Sequence, residues 1–246
     1  MDSFFGRNGP EAFGRGVECS THAVPPECTE ISYPLTAEIS RSALTMGADS
    51  VDPLRPLLTI ASGNPVKVAE IEAMLGPLPV VVQRQPESLQ VEETGSTYRE
   101  NASLKATAAA LATAGWALAD DSGLEVDALG CAPGLYSARY AEGDDAKITK
   151  LLNDLGSTPY RSACFRSTMV LSDPAGHCVA SAEGVCWGEL LKAPAYPGGS
   201  YESLLWVREA RCTYGEFNDA QLIRLGSRGK AARALAPDLR RFLQLI

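Results

Sequence analysis

Histidine, paired cysteine, long apolar runs and positive charge are all scarce in this 246-residue chain. It has two histidines, His22 and His177, and seven cysteines with no CxxC pair: Cys19, Cys28, Cys131, Cys164, Cys178, Cys186 and Cys212. A structural zinc site needs four such ligands at close spacing, so zinc modules drop out. An odd set of scattered cysteines offers no disulfide framework either. It fits reduced, mostly buried thiols in a reducing compartment. No apolar run approaches the roughly 20 residues that span a bilayer, so a soluble, cytoplasmic protein with no membrane partner is expected. The net charge of −8 argues against a broad basic footprint for nucleic acid. A single nucleotide remains open, since binding one needs only a few local cations. The GxxxxGK[ST] phosphate loop is missing, as is any internal repeat.

What is present falls into two parts. The start, MDSFFGRNGPEAFGRGVECSTHAVPPECTEISYPL, is rich in Gly and Pro, carries scattered acids and shows no sustained periodicity. It lacks the charged start and apolar core of a secretory signal, and its acids argue against a transit peptide. Residues 1–55 are therefore expected to be a flexible or non-native extension, with Met46 a candidate start, and residues 56–246 the working domain.

From PLLTIASGN onward the pattern is regular. Leu57 to Ala61 reads as a strand, and Asn64-Pro65 as a helix start with Val68, Ile71 and Leu75 inward. LPVVVQ is a second strand. Thr97 to Glu100 matches a capping box that opens an alanine-rich helix ending at Gly115. WALAD is a third strand that breaks on Asp120-Asp121, and GDDAKITKLLNDLG a third helix. Two β-rich stretches flank the turn DPAG. A glycine-rich loop, AYPGGSYES, then precedes strand LLWV. A last helical stretch runs from about Asn218, broken near Pro237. This order implies an α/β fold around a central mixed twisted sheet flanked by helices.

Three stretches could carry chemistry. In SGNPVK, a helix start offers backbone N–H groups and a positive dipole end to phosphate. Gly63 permits close approach there, Ser62 and Asn64 add polar contacts, and Lys67 adds a charge; a plain helix cap is the alternative. In EETGSTYRENASLK, Glu92-Glu93 precede the capping box and Lys105 lies one turn beyond Asn101; exposed surface charge is the alternative. In ADDSGLEVDAL, two adjacent carboxylates sit where open α/β sheets bind ligands, at strand ends. Asp121 with Glu93 suits Mg²⁺, which takes one or two carboxylates plus phosphate and water. A carboxylate there could also accept a proton from an attacking water. A solvated turn is the alternative.

Taken in order, SGNPVKVAE, EETGSTYRENASLKA, ADDSGLEVDALGCAPGLYSARYA and, more loosely, GGSYESLLWV and TYGEFNDAQLIRLGSRGKA resemble the inosine triphosphate pyrophosphatase family. The likeness covers the chain from about Leu57 to its end. It implies two lobes with the active site in the cleft between them, and a homodimer. It implies Mg²⁺-dependent cleavage of a nonstandard purine nucleoside triphosphate (ITP, dITP or XTP) to monophosphate and pyrophosphate. By position, Ser62, Gly63, Asn64 and Lys67 match the family's triphosphate loop, and Lys105 its helix lysine. Glu93 and Asp121 match metal-binding acids, Asp121 also being the proton acceptor, and Ser122 a substrate contact. The base-recognition half, with Tyr201, Glu202, Ser227 and Arg228 as substrate contacts, departs from the pattern at Gly199, Leu222 and Ser227, while Arg228 remains. The family's Gly-Phe-Gly-Tyr-Asp-Pro is Gly198-Gly199-Ser200-Tyr201-Glu202-Ser203 here, a lysine is Leu222, and Ser-His-Arg is Gly226-Ser227-Arg228. A pyrophosphatase for another modified nucleotide, or a nucleotide-binding protein without turnover, are the alternatives.

Overall fold

The computed structural model describes residues 55–245. The expectations for the N-terminal extension, Met46, Cys19, Cys28 and His22 lie outside the described residues. Seven strands form one sheet in the order β2-β1-β3-β4-β5-β6-β7. The strands are β1 (Leu57–Ile60), β2 (Val81–Arg84), β3 (Trp116–Val126), β4 (Ser162–Ser172), β5 (Cys178–Leu190), β6 (Leu205–Val207) and β7 (Cys212–Thr213). β1 pairs parallel with both β2 and β3, and every later pair is antiparallel. The expected mixed sheet flanked by helices is therefore present. Among the described residues, no helix is long and apolar enough to cross a membrane.

The helices are α1 (Pro65–Leu75), α2 (Tyr98–Thr113), α3 (Asp144–Leu155), α4 (Asp219–Leu225) and α5 (Ser227–Phe242). Ala102, Ala106, Ala109 and Ala110 of α2 are fully buried with Ala117 and Ala119 of β3. Side chains this small let the helix axis come close to the sheet, so polar groups on α2 can reach a β3 side chain. On the opposite face Gly184 of β5 lies under α5, where a Cβ would meet the Ser227 carbonyl and the Ala231 amide. That contact seats the start of α5 against the sheet.

Two differences from the sequence reading bear on the site. β3 does not end at the acid pair: it pairs with β4 from Ala117↔Ser172 to Val126↔Ala163, so Asp120 and Asp121 lie mid-strand. They sit where β1 runs out, because the β1 register with β3 ends at Ile60↔Leu118. The last helical stretch is interrupted at Gly226, in extended backbone between α4 and α5, whereas α5 runs through Pro237. Two larger cores flank the acids. Leu118 belongs to the core of β1, α1 and α5, and Leu124 to the core of α3, β6 and the far end of β5. Asp120 to Ser122 lie between these two lobes.

Candidate active site

Alternation along a strand sends neighbouring side chains to opposite faces, and this separates the two aspartates. Asp121 faces α2. Its Oδ1 accepts from Lys105 Nζ at 3.0 Å and its Oδ2 from Asn101 Nδ2 at 3.3 Å. The same Lys105 ammonium donates to Glu93 Oε1 at 2.7 Å. Two carboxylates from distant segments thus converge on one cation. Glu93 is placed by the start of α2: Thr97 caps the Glu100 amide, and Glu100 reaches back to the Ser96 amide. Asn101 also accepts from the Gly95 amide at 2.8 Å, so one side chain ties the Glu93 segment to Asp121.

Asp120 faces α1 and α5, and its side chain is fully buried. Its Oδ2 accepts from Arg228 Nε at 2.9 Å and from Ser122 Oγ at 3.2 Å, with Lys67 Nζ at 3.4 Å. Arg228 also donates to Ser122 Oγ at 2.9 Å and to Glu70 Oε2 at 2.7 Å. Lys67 Nζ donates to Ser122 Oγ at 3.4 Å. At the start of α1, Asn64 Oδ1 accepts from the Val66 and Lys67 amides, and Ser62 Oγ from the Asn64 amide. Asn64 is therefore a true cap. Gly63 is exposed with open space where a Cβ would stand, which leaves its backbone approachable.

The acids also differ in how their charge is held. Burial pushes Asp121 above the ordinary aspartate pKa, helped by the like charge of Glu93 and opposed by Lys105 and Asn101. Burial works against Asp120 too, but the charges of Arg228 and Lys67 outweigh it and bring it down to about 2. For Glu93, burial is outweighed by Lys105, then by the charges of Lys67 and Arg139, and the net direction is down. Burial disfavours the Lys105 charge, yet Asp121 and Glu93 more than restore it. One acid of the adjacent pair is thus a fixed anion, and the other is held nearer the pH at which it can exchange a proton.

The structure gathers Lys67, Glu93, Lys105, Asp120, Asp121, Ser122 and Arg228, with Ser62, Gly63 and Asn64 leading into Lys67. The remaining base-half residues have other partners. Tyr201 is buried and donates to the Ser137 carbonyl at 3.3 Å. Glu202 accepts from the Ser200 amide, and Ser227, also buried, shares a 2.8 Å hydrogen bond with Ser167. At Gly199, where the resemblance expects a ring, a Cβ would stand 2.6 Å from Tyr196 Cε2. Tyr196 therefore occupies space next to the vacated position. Sequence reasoning passed over Glu70, whose only signal is its place one helical turn after Lys67. It also gave Asn101 no role, although Asn101 and Lys105 share a face at i, i+4 spacing.

The fold is α/β, and its acids and cations gather where β1 runs out, with Asp120 and Ser122 against Lys67 at the capped start of α1 and Asp121 against α2. A model of the Ham1 family matches residues 58–238, and the chain belongs to that family. A dITP/XTP pyrophosphatase of Synechococcus sp. is 44% identical over 189 residues, covering 76% of this chain and 92% of that protein. A protein of the same name from Nostoc sp. is 42% identical over 184 residues, covering 74% and 94%. Among solved structures, the Staphylococcus aureus Ham1 protein matches with a TM-score of 0.66 at 35% identity, covering 76% of this chain and 99% of that one. A HAM1 protein from Coxiella burnetii gives 0.68 at 34% identity, with the same coverages.

Proposed function

We propose that this chain is a Mg²⁺-dependent nucleoside triphosphate pyrophosphatase that converts ITP, dITP and XTP to monophosphate and pyrophosphate, clearing them from the cytoplasmic nucleotide pool. The observation that carries this is the convergence of Glu93 and Asp121 on Lys105, beside the Lys67 helix start. The donor set fits the ion. Among the described residues no group of three or more His, Cys, Asp or Glu could hold a metal, whereas Mg²⁺ asks for only one or two carboxylates, completed by water and phosphate oxygens. Glu93 and Asp121 would hold it, and when bound it would offset phosphate charge and orient the scissile anhydride. Lys105 keeps both acids oriented. Lys67 and the Gly63 backbone meet the phosphates. Asp121, raised by burial, takes the proton of the attacking water. Asp120 takes no proton; it anchors Lys67, Ser122 and Arg228. The family likeness also supports a homodimer.

A groove of about 450 Å³ starts at Pro65 and Val66, directly after the phosphate loop, and is walled by Ala69, Glu70, Met74 and Leu222. Its wall carries Leu222 where the family has a lysine. That favours a second reading, in which the preferred nucleotide is a different modified base needing fewer polar contacts. The test is pyrophosphate release from a panel of ITP, dITP, XTP, ATP and the pyrimidine triphosphates. The expected result is turnover of ITP, dITP and XTP well above ATP. Preference for another base moves the assignment to the second reading, and silence on all of them from folded protein ends both.

A further inference from the structure

Asn101 lies in the first turn of α2 and is only 1% exposed, so no nucleotide can touch it. Its side chain is nevertheless bonded to two parts of the site at once. Nδ2 donates to Asp121 Oδ2 at 3.3 Å, and Oδ1 accepts from the Gly95 amide at 2.8 Å. A side-chain amide offers a donor and an acceptor from one planar group. Turned over, it would set its oxygen against the carboxylate and its NH₂ against the Gly95 N–H. The network therefore allows a single orientation.

The Gly95 end of this link is tight. A Cβ on Gly95 would stand 2.7 Å from Asn101 Oδ1 and 2.6 Å from Glu100 Cβ. The segment carrying Glu93, two residues earlier, is thus pressed onto the start of α2, where Thr97 and Glu100 cap the helix. At the Asp121 end, Lys105 Nζ is bonded to Oδ1 at 3.0 Å, so Lys105 and Asn101 hold different oxygens. The outermost torsion of an aspartate is broad, and one partner does not fix the carboxylate plane. Lys105 draws Asp121 and Glu93 together, yet an ammonium on a flexible stem follows a carboxylate that turns. Asn101 has a short side chain, held on both sides and mounted on a capped helix.

We propose that Asn101 is a positioning residue of the reaction, which fixes the plane of the Asp121 carboxylate and its register with Glu93. The inference rests on reading the site as a triphosphate pyrophosphatase in which Asp121 takes the proton of the attacking water. Each carboxylate oxygen keeps a second lone pair, and with the plane fixed these point in set directions. Proton transfer needs the accepting oxygen roughly 2.6–3.2 Å from the water. A displacement of about 1 Å costs on the order of 10²-fold in rate. Glu93 enters the same frame through Gly95, so one side chain sets both acids.

The test compares full-length wild type, Asn101→Ala, Asp121→Asn and the double variant in dITP turnover, with a crystal structure of the metal-free Asn101→Ala protein. Asn101→Ala is expected to lower kcat by about 10- to 100-fold. KM should stay within about threefold, because Lys67 and the phosphate loop are untouched. The double variant should be no slower than Asp121→Asn, as for groups that act as a unit. In the crystal the Asp121 carboxylate should turn, or the Glu93 segment shift away from it. An unchanged kcat, a loss confined to KM, losses that multiply in the double variant, or acids left in place would each overturn the inference. Asn101→Leu keeps the branched shape without donor or acceptor and serves where Asn101→Ala does not fold. If neither folds, Asn101 is structural and the inference falls. Displaced acids in a protein whose wild type cleaves no triphosphate would uphold the positioning role and sink only the proposed activity.

Discussion

Asp121→Asn is expected to lower kcat by about 10²- to 10⁴-fold, the range for a removed general base, with little loss of stability. The amide keeps the shape and still accepts from Lys105, but it cannot take a proton from water. Stability should hold because burial and the Glu93 charge already work against the ionised form of Asp121. The sign follows from that direction. A carboxyl whose folded pKa is raised contributes most when protonated, below its unfolded pKa, and loses that contribution as pH rises through the folded value. At neutral pH the charge is a small burden on the fold, and removing it offsets the weaker contact with Lys105. The wild-type kcat/KM should fall as pH drops through an inflection above the ~3.9 of an unperturbed aspartate. Steady-state kinetics and thermal melts of the two proteins check this. Full activity in Asp121→Asn would remove the proposed base.

The neighbouring substitution should behave in the opposite way. Asp120→Asn is expected to destabilise the fold by about 3–5 kcal/mol, the usual cost of removing one partner of a buried ion pair. Asp120 is the shared anion of Arg228 and Lys67, and its side chain has no exposed surface. Its folded pKa lies at about 2. The stabilisation is therefore fully present above the unfolded carboxyl pKa and is lost as pH falls through the folded value. Urea unfolding at neutral pH should separate wild type from variant by this margin, and the gap should narrow in strong acid. Two proteins of equal stability at neutral pH would show that the pair is not an anchor.

Local chemistry was readable in the sequence wherever the partner was near. Thr97 and Glu100 announced the start of α2, and helical spacing put Asn101 and Lys105 on one face. The Asn64 cap and its Lys67 were visible for the same reason. The split between Asp120 and Asp121 was not. Adjacent acids after an apolar run look like a strand end, and only the pairing with β4 shows the strand continuing and sending them to opposite faces. The Arg228–Asp120 pair was not readable either, because its two members lie 108 positions apart, a separation that no local pattern encodes. Pro237 suggested a break that the helix absorbs, while the real interruption at Gly226 fits the Leu222 carbonyl so closely that a Cβ would crowd it.

The most direct test of the central claim, that Glu93 and Asp121 share a divalent cation over a polyphosphate, is dITP turnover titrated with Mg²⁺. One pyrophosphate should appear per monophosphate, with saturable dependence on the metal and no turnover in excess chelator. Glu93→Gln should need a much higher Mg²⁺ concentration for half its maximal rate. Undiminished turnover in chelator, or a Glu93→Gln protein with the wild-type Mg²⁺ requirement, would contradict the account.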